Sequence, residues 1–165
     1  MKVGVLSDTH DRLPTFRRAV ALFDRLGVEA IFHAGDFIAP FAGKLIGPGA
    51  VSTQVFAVYG NNDGEKKGLK SVLPCVVDGP LTVEIGGRTI VMHHFVDWLK
   101  PADLRPAGKA ADVVITGHTH EVVNETRNGT LMLNPGECCG WVNDRCTVAL
   151  LDLAELKAEI IDVHE

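Results

Sequence analysis

Four short apolar runs, at residues 3–6, 30–32, 55–58 and 112–115, each give way to a polar turn, and this alternation most restricts the folds open to the chain. Runs of this length are too short for helices and read as buried strands. After the first, Phe16, Ala19, Val20, Phe23 and Leu26 recur at helical spacing, with Pro14 suited to a first turn and Gly27 to the end. Residues 40–46 suggest a second, short helix stopped by Gly47-Pro48-Gly49, and residues 54–59 a third strand running into the turn-rich segment 60–64. Strand alternates with helix, so the first half reads as α/β.

The second half is mostly strands. Residues 81–85 and 88–93 flank Gly86-Gly87, and residues 121–123 and 130–133 flank Asn128-Gly129, two strong hairpin signals. Residues 98–110 read as a loop with room for a short helix. Residues 146–151 and 156–163 can pair as a terminal hairpin, although 153–157 suits a helical turn equally well.

With 165 residues and 46% hydrophobic content, the chain fits a single domain spanning 1–165. A net charge of -5 and a pI near 5.8 exclude a basic field of the kind that holds nucleic acid non-specifically. No apolar run approaches the roughly 20 residues of a membrane span, and Met1-Lys2-Val3 leads directly into a strand, so a cytoplasmic protein without membrane attachment is expected. Cys75, Cys138, Cys139 and Cys146 form neither a Cys-x-x-Cys pair nor a dense framework, and are expected to be reduced and structural.

The residues just past each strand carry the chemistry. The run at 112–115 leads into Thr116-Gly117-His118-Thr119-His120, and in an extended chain residues i and i+2 point the same way. The earlier runs end in Asp8 and His10, in Asp36 and in Asn61, and the run at 89–92 ends in His93. This mixture of carboxylate, amide and imidazole without thiolate suits manganese, iron, zinc or nickel better than calcium. Seven candidate ligands exceed one tetrahedral site, so two divalent ions sharing a bridging carboxylate are the economical reading. Such a pair attracts an anionic phosphate and deprotonates water near neutral pH.

Taken in order, Asp8-Thr9-His10, Gly35-Asp36, Gly60-Asn61-Asn62-Asp63, His93 and Gly117-His118-Thr119-His120 resemble the calcineurin-like metallophosphoesterases over nearly the whole chain. The small size and the Asn134-Pro135-Gly136 turn resemble the compact branch of bacterial and archaeal phosphodiesterases related to a eukaryotic retromer subunit. The resemblance implies a four-layer sandwich of two mixed β-sheets flanked by helices, with the site at the strand ends. It implies one metal on Asp8, His10, Asp36 and His120, and another on Asp36, Asn61, His93 and His118, with Asp36 bridging. Manganese is the expected metal of both positions, and a bridging hydroxide is expected to attack the phosphorus of a small phosphoester in line, with Asp36, Asn61 and His118 closest to the chemistry. Many relatives carry a histidine after the asparagine to protonate the leaving group. This chain has Asn62, and an amide is no general acid.

Other residues have plainer readings. His33 lies inside a strand and is expected to be a hydrogen-bonded core histidine; His94 points away from His93 if the strand persists, which favours a structural role. His164 is expected to be solvated at the terminus. Asp11 and Asp63 either orient ligands or only cap turns. Trp98 and Trp141 are expected to pack ordinarily, with a site rim or a homo-oligomer contact as the alternatives. Arg12 lies near enough to the Asp8 turn to meet a phosphate. The alternative to an enzyme is a non-catalytic metal-binding interaction module of the same fold.

Overall fold

The computed structural model describes residues 1–163, so His164 lies outside the described residues. The first half forms β1 (Lys2–Leu6), α1 (Leu13–Leu26), β2 (Ala30–His33), α2 (Pro40–Gly43), β3 (Gln54–Val58), α3 (Lys66–Val72) and β4 (Val76–Val77). Strands β5 (Leu81–Ile85), β6 (Arg88–Met92), β7 (Val113–Ile115), β8 (Val122–Arg127), β9 (Thr130–Pro135), β10 (Thr147–Asp152) and β11 (Lys157–Asp162) follow. They build two mixed sheets, β11-β10-β1-β2-β3-β4 and β5-β6-β7-β9-β8. Both hairpin turns fall where glycine permits them, and the last two strands pair antiparallel with 153–156 as their connection. Segment 65–80, which carries α3 and β4, has no periodic pattern long enough to read from the sequence.

Strand alternation divides the apolar residues between layers. Val3 and Val5 of β1, Phe32 of β2, Ile90 and Met92 of β6 and Ile115 of β7 point inward and form one core between the two sheets. Leu6, Ile31 and Ala57 point the other way, onto Phe16, Ala19 and Phe23 of α1, Ala42 of α2 and Leu69 of α3. Helix α1 ends as its sequence requires: Gly27 takes a left-handed conformation, and its N–H donates to the Asp24 carbonyl. The outer face of the second sheet, with Val91 and Val114, is covered by Leu99, Leu104 and Ala111 from an irregular segment holding two 3₁₀ turns, at Val96–Trp98 and Pro106–Gly108. That segment is the fourth layer. Among the described residues, all three α-helices lie on the first sheet.

Parity along the strands has a further result. Ala30, Phe32 and Ala34 share the inner side of β2 and its extension, which leads into Asp36, and Ile90 and Met92 share the inner side of β6, continued by His94. Polar residues that follow the inner rows of both sheets therefore converge between the sheet ends.

Candidate metal centre

The site is made of loops laid against one another. The N–H groups of Asp8, Thr9, His10 and Asp11 donate in turn to the carbonyls of Gly35, Asp36, Asp36 and Phe37, so the first loop is laddered on the second. Cys138 and Cys139 donate to the carbonyls of Ser7 and Asp8, laying the 134–140 turn along the first loop's other side. Asp63 ties the second loop to the third: its carboxylate accepts the N–H of Asp36 at 3.1 Å, Gly60 at 2.7 Å and Ile38 at 2.8 Å. Asp11 accepts the N–H of Ala39 at 3.1 Å. Both are therefore braces of the loops. Two glycines make this close approach possible: a Cβ on Gly60 would collide with the Asp36 carboxylate, and one on Gly117 with the Ser7 hydroxyl.

Asp8, His10, Asp36, His118 and His120 all have positive φ, between 39° and 70°. Such backbone is uncommon outside glycine and gathers at functional sites. It also alters the histidine pair. His118 and His120 are not two residues of an extended strand aimed alike; they turn to opposite ends of the site. The His118 Nδ1 donates to Asn61 Oδ1 at 3.0 Å, while the His120 Nε2 lies 3.4 Å from Asp8 Oδ1.

Asp36 occupies the middle. Its Oδ2 lies 3.5 Å from the His10 Nε2 and 3.4 Å from the His94 Nε2. The Asn62 side-chain amide donates to the same oxygen at 2.7 Å, and the Asn62 main-chain N–H donates to Oδ1 at 2.8 Å. The His94 Nδ1 donates to the Ala34 carbonyl at 2.7 Å, and its Nε2 donates to Asn61 Oδ1 at 3.1 Å. His93, expected in this set, stands outside it. Its Nδ1 accepts the Phe95 N–H at 2.9 Å, and its ring lies against Trp98. The correction has a simple cause: the chain stays in register through the bond from the His93 N–H to the Ile115 carbonyl, so His94 takes the inner row and His93 the outer one.

Burial works against charge on Asp8 and Asp36. Neighbouring imidazoles outweigh it, His10 and His120 at Asp8 and His94 at Asp36, and both carboxyls are held below their usual range. The His120 pKa is correspondingly raised to about 9 by Asp8, despite burial, with Glu137 adding to the effect. His94 is raised as well, because Asp36 and Asp8 outweigh its burial. Asp8 and Asp36 thus each have an imidazole beside them that favours their charged form.

These residues suit divalent metal. Asp8 Oδ1 and His10 Nε2 are buried, make no hydrogen bond and lie 3.7 Å apart, an arrangement that costs free energy unless a cation satisfies both. Asp8, Asp36 and His94 offer ligand atoms within 4.8 Å of one another, and so do His10, His120 and Cys139. Cys139 was not expected here. Its thiol is pushed up by burial and donates to Glu137 Oε2 at 3.1 Å, so it is a protonated neighbour of the imidazoles. Glu137 carries no sequence signal, because nothing in Gly136-Glu137-Cys138 shows that the chain folds back to the histidine loop.

The remaining expectations separate cleanly. His33 is buried, stacks on Phe37 at 3.5 Å between ring centres, accepts the Gly35 N–H at Nδ1 and bonds Thr9 through Nε2. Arg12, placed by the sequence near the Asp8 turn, donates to the Cys139 carbonyl at 2.5 Å and stacks on Trp141. The tryptophans are not packed away. Trp98 is 65% exposed and Trp141 61% exposed, on either side of the centre. Trp98 stacks on Phe95, whose ring lies 4.3 Å from that of His118, and a cavity of about 280 Å³ between Tyr59 and Trp98 opens beside Asn61.

Comparison with known proteins accords with this geometry. Residues 1–156 match the calcineurin-like phosphoesterase superfamily domain. The chain is 39% identical over 159 residues to phosphodiesterase MJ0936 of Methanocaldococcus jannaschii, covering 92% of this chain and 93% of that protein. It is 28% identical over 147 residues to phosphodiesterase YfcE of Escherichia coli, covering 82% and 78%. A solved archaeal phosphodiesterase superposes with a TM-score of 0.83 at 36% identity, covering 98% of this chain and 99% of the other. Vps29 of Entamoeba histolytica shares the fold, with a TM-score of 0.67 at 19% identity over 99% and 100% of the two chains.

Proposed function

Because the chain belongs to the calcineurin-like phosphoesterase superfamily, we propose that it hydrolyses phosphodiesters at a centre of two divalent cations, manganese by preference. Asp8, His10, Asp36 and His120 would hold one, and Asp36, Asn61, His94 and His118 the other. The observation that carries this reading is the position of Asp36, whose Oδ2 is 3.5 Å from the His10 ring and 3.4 Å from the His94 ring.

When bound, two such ions lower the pKa of water into the neutral range and offset charge on a transferring phosphoryl group. The protein's part is to fix and orient. Asp63 fixes the Asp36 main chain through its N–H, and Asn62 holds the Asp36 carboxylate through both oxygens. The Asn61 amide oxygen is placed between the two rings, 3.1 Å from His94 Nε2 and 3.0 Å from His118 Nδ1. The ester's organic groups would lie against Phe95 and Trp98, in the cavity beside Asn61. At the position where relatives carry a histidine, the Asn62 amide is bound to Asp36 and donates no titratable proton, so esters whose leaving groups depart unprotonated are the better substrates. Four free cysteines suit a reducing cytoplasmic setting. The whole chain, 1–165, acts as one domain in this reading.

The test is hydrolysis of bis-p-nitrophenyl phosphate and p-nitrophenyl phosphate by protein stripped of metal and reloaded with manganese. Diester turnover that requires both the ion and His118, and is lost in His118→Asn, is expected. Absence of turnover with manganese, iron, zinc and nickel in turn would overturn the reading and favour an interaction module.

A further inference from the structure

Glu137 is a buried carboxylate, 1% exposed, whose two oxygens are taken by donors from one loop and one histidine. Oε1 accepts the Asn143 N–H at 2.6 Å and shares that of Val142 at 3.1 Å. Oε2 accepts the Trp141 N–H at 2.9 Å, the Cys139 thiol at 3.1 Å and the His120 Nδ1–H at 2.9 Å. Its backbone is fixed as well. Its carbonyl accepts the Thr147 N–H, and the preceding turn is closed by Asn134, whose Oδ1 accepts the Gly136 N–H while its amide donates to the Gly117 carbonyl and the Thr119 hydroxyl. From the other direction, the Asn143 amide donates to the His120 carbonyl at 3.0 Å. Side chain and backbone of His120 are thus both held by the segment Glu137 organises.

We propose that Glu137 is a positioning residue for His120, and that it makes the cation position on the Asp8 side of the centre the tighter of the two. The inference rests on the two-cation reading above. A carboxylate that accepts the Nδ1 proton fixes the tautomer, turns Nε2 toward Asp8 Oδ1 and makes that nitrogen a stronger electron donor. His94, on the other side, gives its Nδ1 proton to a neutral main-chain carbonyl at Ala34. A charged acceptor stands behind one imidazole and an uncharged acceptor behind the other. With its oxygens engaged by five groups, Glu137 is a partner of a ligand and not a ligand.

The same carboxylate also anchors residues 141–143, so the test must separate an effect through His120 from one through that loop. Calorimetric titration of Mn²⁺ alone into stripped wild type, Glu137→Gln, His120→Asn and the double variant does so. Expected are two binding steps in the wild type, with the tighter weakened about 10- to 100-fold in Glu137→Gln, as for other outer partners of ligand histidines, and the weaker unchanged. In the His120→Asn background, Glu137→Gln should have no further effect. Equal weakening of both steps, an undiminished effect in that background, or no effect at all would each overturn the proposal. Failure of the wild type to take up any ion would overturn the two-cation reading itself, and the proposal with it. A readout without substitution covers the case of a variant that does not fold: ¹⁵N–¹H spectra of the zinc-loaded wild type should show His120 protonated at Nδ1 and not Nε2. The opposite tautomer would overturn the proposal.

Discussion

The carboxylate of Asp8 accepts the main-chain N–H of His118 at 3.1 Å, across 110 positions of sequence. One oxygen, Oδ2, shapes the histidine loop, while Oδ1 is left facing His10 and His120. Asp8→Asn and Asp8→Ala should therefore both lose cation affinity but differ in stability. Asparagine can still accept the His118 N–H and tolerates the left-handed backbone at this position, where φ is 53°. Alanine removes the acceptor of that part-buried bond, a loss of about 1 kcal/mol. Urea unfolding in the presence of chelator measures the difference, and equal midpoints would refute this division of labour.

His94 and His93 give the sharpest contrast within the centre. His94→Gln should lower diester turnover by more than about 100-fold, beyond the usual range for outer partners of a metal site, and should release one ion per chain. His93→Gln should change turnover by no more than about threefold, an effect on the Trp98 wall of the cavity and not on the ions. Metal content by mass spectrometry, beside kcat and KM, decides between them; a reversed order would restore His93 to the centre.

Asn62→His introduces a titratable group beside the Asp36 carboxylate. General acid catalysis contributes about 10²- to 10⁴-fold where the leaving group needs a proton, so alkyl esters should gain much more than p-nitrophenyl esters. Parallel gains for both classes would show that leaving-group protonation does not limit this protein.

His33 predicts a pH dependence for the metal-free fold. Burial depresses its pKa to about 3, from an ordinary 6.5, although Asp8 and Asp36 favour its charge. Between those values the unfolded chain binds the proton and the folded chain does not, so stability falls as pH falls through 6.5 toward 3. The slope contributed approaches about 1.4 kcal/mol per pH unit. Stability measured from pH 7 to pH 4 should fall less steeply in His33→Gln than in the wild type. Parallel curves would assign the acid limb to other groups.

Much of this architecture is legible in the sequence because it depends on short-range rules. Gly86-Gly87 and Asn128-Gly129 announce their hairpins, and Gly27 ends its helix where the apolar period stops. The site residues are legible because strands end in them: Asp8, Asp36, Asn61, His118 and His120 all lie where the strand ends converge. What escaped depends on longer range or on one residue of parity. Whether His93 or His94 enters the site turns on which side of β6 faces the other sheet, and two adjacent histidines make the sequence silent on that point. Glu137 and Cys139 become site neighbours only because the 134–140 turn lies along the first loop. The split of His118 from His120 needs left-handed backbone that the pattern Gly-His-Thr-His does not disclose.

Asp8, His10, Asp36 and Asn61 follow strands of the first sheet, and His94, His118 and His120 follow strands of the second. A cation held among them would therefore add a cross-link between two halves that already meet through side-chain packing and through bonds such as His118 N–H to Asp8 and His94 to the Ala34 carbonyl. With such an ion in place, peeling one sheet from the other would also mean giving up the ion, so metal loading would tie the unfolding of the two sheets together.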